Sequence, residues 1–306
     1  MIFITALNRC YDFSKKYGLK KALKLFYFLY YGKYRQRKIK LSKDRIIKTK
    51  TGCELYVIPN DPGISLELSI FGIHEPITTE VISKKLKKDM VCVDIGANLG
   101  YFATLEGQIV GSGGKVIAIE PLPDAFRCLQ KNLKLQNQTN YETHNCACYD
   151  EDTNASFLIH EKSNVSKIIK DDDVIPPGMK KIVIPVRKLD SILSSNPQKI
   201  DFLRMDIEGH ELLVLKGARN IIKKYKPMIQ FELHSKILGN EHTRELLDFI
   251  KDEDYKISYF LIRELDMPMM GTINDLKKDY TINDLLHLLE TDNLPPFIQL
   301  FLESKN

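Results

Sequence analysis

Two short stretches concentrate the side chains able to move a proton or hold a cation. MDIEGHE (205–211) carries Asp206, Glu208 and Glu211, and FELH (231–234) carries Glu232 and His234. Glu232 and His234 are two residues apart, so on a strand they share one face. A carboxylate or imidazole so placed can take the proton of an attacking hydroxyl. In that reading Asp206 or Glu208 orients a substrate and His234 or Glu232 is the base, a choice the sequence leaves open. The alternative is a divalent cation held by Asp206, Glu232 and His234, which would acidify the hydroxyl. Glu211 also has the ordinary explanation of favourable charge in the first turn of a helix. His210 reads as an exposed turn residue.

A third stretch, VCVDIGANLGYF (91–102), runs from an apolar strand through a glycine loop towards a helix. Its register Gly96-Ala97-Asn98-Leu99-Gly100 lacks the middle glycine of a dinucleotide fingerprint, and no Gly-Lys-Ser/Thr follows to make a P-loop. Asp94 leads the loop, and Glu120 ends the next strand, KVIAIEP (115–121). Acids at the ends of neighbouring parallel strands flank the place where such sheets take ligands. They suit S-adenosylmethionine, which has no phosphate but a sulfonium, an amino-acid tail and two free ribose hydroxyls. Asp94 would hold the ammonium of the tail, directly or through water, and Glu120 the ribose hydroxyls. Gly96 and Gly100 would open room, with Ala97, Asn98 and Pro121 completing the binding segment. The plainer explanation is that Asp94 caps the following helix and Glu120 is an ordinary strand-end acid.

The elements that must position these residues alternate strand and helix from about residue 76, which predicts an α/β domain with a parallel sheet covered on both faces. Helices are expected at 76–88, 99–110, 124–136, 210–225 and 243–254. Strands are expected at 91–96, 115–121, 141–149, 200–209, 228–234, 256–262 and 297–303, with further β segments at 155–160 and 181–190. The loop 161–180, with Ser163, Asn164 and Ser166, is placed to form part of an acceptor pocket.

Taken in order, VDIGANLGYF (93–102), GGKVIAIEPLPDAFRCLQKNL (113–133), IPVRKLDSIL (184–193), IDFLRMDIEGHELLVLKGA (200–218) and PMIQFELH (227–234) resemble the FkbM family of S-adenosylmethionine-dependent methyltransferases. The resemblance covers roughly residues 80–235. It implies the Rossmann-like class I methyltransferase fold, a seven-stranded, mostly parallel sheet in the order 3-2-1-4-5-7-6 with the last strand antiparallel and helices on both faces. It also implies O-methylation of sugar or polyketide hydroxyls. The expected function is therefore methylation of a hydroxyl of a sugar, glycan, glycolipid or related metabolite. Two alternatives stand beside it: N- or RNA-methylation, or a non-catalytic cofactor-binding protein docked to a membrane.

The first 50 residues lie outside the resemblance. They hold 15 Lys and Arg against Asp12 and Asp44, whereas the remaining 256 residues carry 30 basic and 38 acidic side chains. We read 1–50 as a basic helical N-terminal arm and 51–306 as the methyltransferase domain. A basic head on an acidic body seeks an anionic partner, and the body has no nucleic-acid footprint. Residues 12–38 read as a helix with Leu19, Leu23, Phe26 and Tyr30 on one stripe and lysines off it. Such a helix packs on its own domain, lies on an anionic membrane or makes oligomer contacts. No segment reaches the ~18–20 apolar residues of a membrane span. Six cysteines without a C-x-x-C pair, and a start MIFITALNRC that lacks the basic region and cleavage site of a signal peptide, suggest a reducing cytoplasm, with peripheral contact at the inner face of the membrane.

Overall fold

Seven segments of aliphatic and β-branched residues pair into one sheet in the computed structural model, which describes residues 2–39, 45–160, 166–169, 175–194 and 199–305. We number them β1 (Val91–Ile95), β2 (Lys115–Ile119), β3 (Tyr141–His144), β4 (Phe202–Met205), β5 (Met228–Leu233), β6 (Tyr255–Ile262) and β7 (Ile298–Ser304). Across the sheet they run β3-β2-β1-β4-β5-β7-β6. The first five are parallel, and β7 is antiparallel to both β5 and β6. This is the order and sense that the resemblance implies.

Strand alternation divides the core in two. Cys92, Val116 and Phe202 face one layer with helices Pro76–Lys85, Tyr101–Val110 and Pro123–Leu135. Val93, Ile117 and Leu203 face the other, with Glu211–Gly217, Arg219–Tyr225, Ser235–Asp252 and Ile282–Glu290. Burial on both faces explains why the central strands read as unbroken apolar runs.

Several expectations are corrected. The segment 141–149 is two strands: after β3 the chain turns, and Ala147–Cys148 pairs with Val186–Arg187 in a separate sheet. That second sheet is completed by Thr153–His160, Ser166–Ile169 and Met179–Arg187. The turn is pinned by the Asn145 side chain, which donates to the Glu120 and Pro121 carbonyls at 2.8 and 3.0 Å. The expected helix 210–225 is two helices meeting at Ala218. Unexpected helices appear at Ile64–Phe71 and Ile282–Glu290, besides the single turn Leu189–Ile192. Helix Ile282–Glu290 starts at a reciprocal capping pair, Thr281 with Asp284, a signal the sequence displays.

The arm is helical but broken, Ile2–Tyr17 and Leu19–Lys38, with Gly18 at φ 83° between them. Its expected end at residue 50 falls later than the helices do: Arg45–Lys48 pairs antiparallel with Glu54–Val57, whose Leu55 and Val57 are buried in the domain core. Among the described residues no helix is long and apolar enough to cross a membrane.

Candidate active site

Beyond the carboxyl ends of β1, β2, β4 and β5 lies a cleft of about 730 Å³. Its floor comes from the loop after β1. Gly96 has φ 77°, and a Cβ there would stand 2.2 Å from the Asp206 carbonyl oxygen, so only glycine lets the ends of β1 and β4 approach this closely. Gly96, Ala97 and Asn98 all line the cleft. Gly100 does not; it is the close packing point against Leu129 of helix Pro123–Leu135. The room it was expected to give a ligand goes to helix packing instead.

Glu120 sits at the end of β2, only 4% exposed. One carboxylate oxygen accepts from the Asn98 N–H at 2.8 Å and the other from the Leu122 N–H at 2.8 Å. Each oxygen keeps a lone pair on the cleft side, the number that two vicinal hydroxyls require. Burial pushes the carboxyl up to about 7, against the pull of the two N–H donors. Pro121, Leu122, Cys146, Ala147 and Phe157 add an apolar wall on this side, suited to the faces of a purine. These residues fit an adenosine group.

Asp94 stands elsewhere than expected. It is fully buried behind the cleft lining, where Arg204 donates from Nη1 to its Oδ1 at 2.9 Å. Arg204 itself lines the cleft, its guanidinium 3.9 Å from the Phe102 ring centroid, and lies 3.4 Å from Asp206 Oδ2. The surface presented to an amino-acid tail is thus a guanidinium, which suits the carboxylate of the tail, with Asp94 holding it in place. Sequence reading missed Arg204, although a lone charge inside the apolar run FLRM, two residues before Asp206, marks the same strand face. Glu106 was missed too: it is completely buried, and burial, then the Asp94 charge, raises its carboxyl well above the ordinary range.

Asp206, Glu208, Glu232 and His234 all line the cleft. Ligating atoms of Asp206, Glu232 and His234 lie within 4.8 Å of one another. His234 Nδ1 is 2.6 Å from Glu211 Oε1, and its Nε2 is 3.7 Å from Glu232 Oε1. Glu211 is therefore the imidazole's anchor as well as a first-turn acid. Glu232 Oε2 accepts from Arg263 Nε and Gln299 Nε2, each at 3.0 Å, which leaves Oε1 towards the cleft. Burial pushes Glu232 up to about 8 despite Arg263. Burial works against a charged His234, yet Glu211 outweighs it and raises the imidazole to about 9. Burial also opposes ionisation of Asp206, but the Arg204 guanidinium holds its carboxyl below the usual range.

The three-residue donor set alone suits a divalent cation. Arg263 on Glu232 and Arg204 beside Asp206 place positive charge against two of the three donors, so the arrangement fits proton transfer better. Glu208, in a left-handed conformation at φ 51°, is exposed at the mouth. His210 is half-buried rather than exposed, with its ring 5.8 Å from Tyr149.

The remaining wall comes from segments that the sequence did not tie to the site. His74 pairs with Glu67 at 3.1 Å and Glu75 at 3.5 Å, and Glu75, 1% exposed, is 3.2 Å from Arg263 Nη2. Ser163 and Asn164 of the expected acceptor loop lie outside the described residues. Ser166 opens a strand of the second sheet, whose Phe157 reaches the cleft.

The family model of the Methyltransferase FkbM domain matches residues 94–257. The protein "Methyltransferase 1" of Beauveria bassiana (strain ARSEF 2860) is 27% identical over 146 residues, 42% of this chain and 58% of that protein. Among solved structures, the methyltransferase FkbM of Methylobacillus flagellatus KT is similar at 22% identity and a TM-score of 0.41, over 71% of this chain and 45% of that one. A SAM-dependent methyltransferase of Aquifex aeolicus is similar at 14% identity and a TM-score of 0.36, over 74% and 90%. The chain thus spans about half the length of the Beauveria and Methylobacillus relatives. With the domain match covering more than half of the chain, the chain belongs to the FkbM family of S-adenosylmethionine-dependent methyltransferases.

Proposed function

We propose that this chain transfers a methyl group from S-adenosylmethionine to a hydroxyl of a sugar-like acceptor, free or carried on a glycan or glycolipid. One observation carries the reading: the Glu120 pocket and the Asp206–Glu232–His234 cluster open into the same cleft. When bound, the cofactor supplies an electrophilic methyl group on a cationic sulfur. The protein's part is to align the acceptor and remove its proton.

Glu232 is the base we assign. Arg263 and Gln299 fix one of its oxygens, the other is left for the proton, and burial makes it a stronger base than an ordinary carboxylate. His234, held charged by Glu211, donates from Nε2 and steers the acceptor oxygen towards Glu232. Asp206, ionised beside Arg204, is free to accept from a neighbouring hydroxyl of a polyol. The abundance of acids around the cleft, among them Glu67, Glu75, Glu208 and Glu264, opposes a polyphosphate acceptor such as RNA.

The test is transfer of labelled methyl groups into fractionated glycans and lipids, with and without a chelator. Label in a base-stable ether, undiminished by the chelator, is the expected outcome. Label confined to RNA or protein overturns the acceptor assignment, and loss with the chelator restores the divalent cation.

A further inference from the structure

The helical arm has two apolar faces, and only one is used. Ala22 and Leu25, at 4% and 0% exposure, are buried in the domain, and Phe28 stacks on Phe71 of helix Ile64–Phe71 with ring centroids 5.0 Å apart. Polar contacts tie the arm down further: Tyr17 Oη donates to Glu264 Oε2 at 3.2 Å, and Lys21 pairs with Asp275. On the other face Leu19, Leu23, Tyr27 and Tyr30 stand 69%, 61%, 49% and 66% exposed. Their spacing of four, four and three puts them in a single stripe along the helix. Tyr11 of the preceding helix is 61% exposed as well. The stripe expected from sequence is therefore split: Leu19, Leu23 and Tyr30 face out, and Phe26 is half-buried.

Charge decides what such a stripe meets. Between Asp12 and Asp44 there is no acidic residue, while Lys15 and Lys20 are exposed, as is Lys16, which pairs with Glu264 at 3.5 Å. Leucines and tyrosines flanked by cations are the composition of a helix lying in the interface of an anionic bilayer. Tyrosine has an apolar ring for the acyl boundary and a hydroxyl for the wet layer. Each cation near such a surface adds to the attraction. Self-association through the same stripe would bring two strongly basic arms together, which like-charge repulsion opposes.

We propose that the outer face of this arm docks the protein on an anionic lipid surface. The arm also borders the cleft: Glu264, which it contacts, lines the cleft, as do Ile64 and Glu67 of the helix it packs on. Docking therefore sets the cleft beside lipid head groups, and acceptors carried on lipids become the favoured class. That last step rests on the methyl-transfer reading; the docking does not.

Co-sedimentation of the full chain with vesicles of phosphatidylcholine alone, or mixed with phosphatidylglycerol, tests it. Binding to the mixed vesicles about ten-fold above the neutral ones is expected. The double variant Leu23→Ser, Tyr30→Ser should lose that binding while keeping the wild-type circular dichroism spectrum and cofactor affinity, because both side chains point away from the core. No binding of the folded wild type to mixed vesicles, or binding that the double variant retains, overturns the proposal. A wild-type mass by light scattering that halves in the variant, without lipid binding by either, assigns the stripe to a second copy instead. Failure of docking with cofactor binding intact leaves the enzyme reading standing.

Discussion

Glu232 is the residue on which the chemistry turns. It is buried, with Arg263 and Gln299 on one oxygen, and its other oxygen faces the cleft. Because its carboxyl lies near 8 in the free protein, the base is mostly protonated at neutral pH and the transfer rate should rise with pH as the carboxylate forms. A cation bound in the cleft favours the carboxylate, so the midpoint of that limb should fall below 8. Glu232→Gln should lower kcat by about 10²- to 10⁴-fold with a small change in KM, and the limb should vanish. A retained limb would move the proton-accepting role to another group. At this scale the sequence shows Asp206, Glu232 and His234 by type and spacing. It does not show Arg263, Glu75 or His74, because these reach the site from segments that only the tertiary fold brings together.

At the scale of elements, the β1–β4 pair and helix Tyr101–Val110 enclose Glu106 and Asp94 away from water, behind Arg204 of the cleft lining. Arg204 donates to one oxygen of Asp94, whereas burial and then the Asp94 charge raise the Glu106 carboxyl well above the ordinary range. Its folded pKa lies above its unfolded one, so the folded state binds the extra proton, and stability falls as pH rises from the unfolded value towards the folded one. Glu106→Gln, which mimics the neutral acid, should remove that penalty. Denaturant unfolding should show the variant gaining on the wild type as pH rises above the ordinary carboxylate range; a difference that does not change with pH would mean that Glu106 is ionised when folded. The sheet strands were legible because burial on both faces leaves long apolar runs. Helix Ile64–Phe71 was not: ISLELSIF alternates apolar and polar residues as a strand would, and its packing against the arm overrides that pattern.

The whole molecule joins an acidic domain to a basic arm, a division visible in the charge count before any fold is known. What the count could not show is that the arm packs one face on the domain beside the cleft and leaves the other exposed, since that depends on which of two apolar stripes fits the groove near Phe71. Cofactor and acceptor must both enter the one cleft, and everything proposed for the acid–base cluster presupposes that the cofactor occupies the Glu120 side. Calorimetric titration with S-adenosylmethionine of the wild type and of Glu120→Ala tests this most directly. Saturable one-to-one binding by the wild type, weakened at least about ten-fold in the variant by the loss of charge-assisted hydrogen bonds, is the predicted result. No binding by the folded wild type, or equal affinity in Glu120→Ala, would contradict the account.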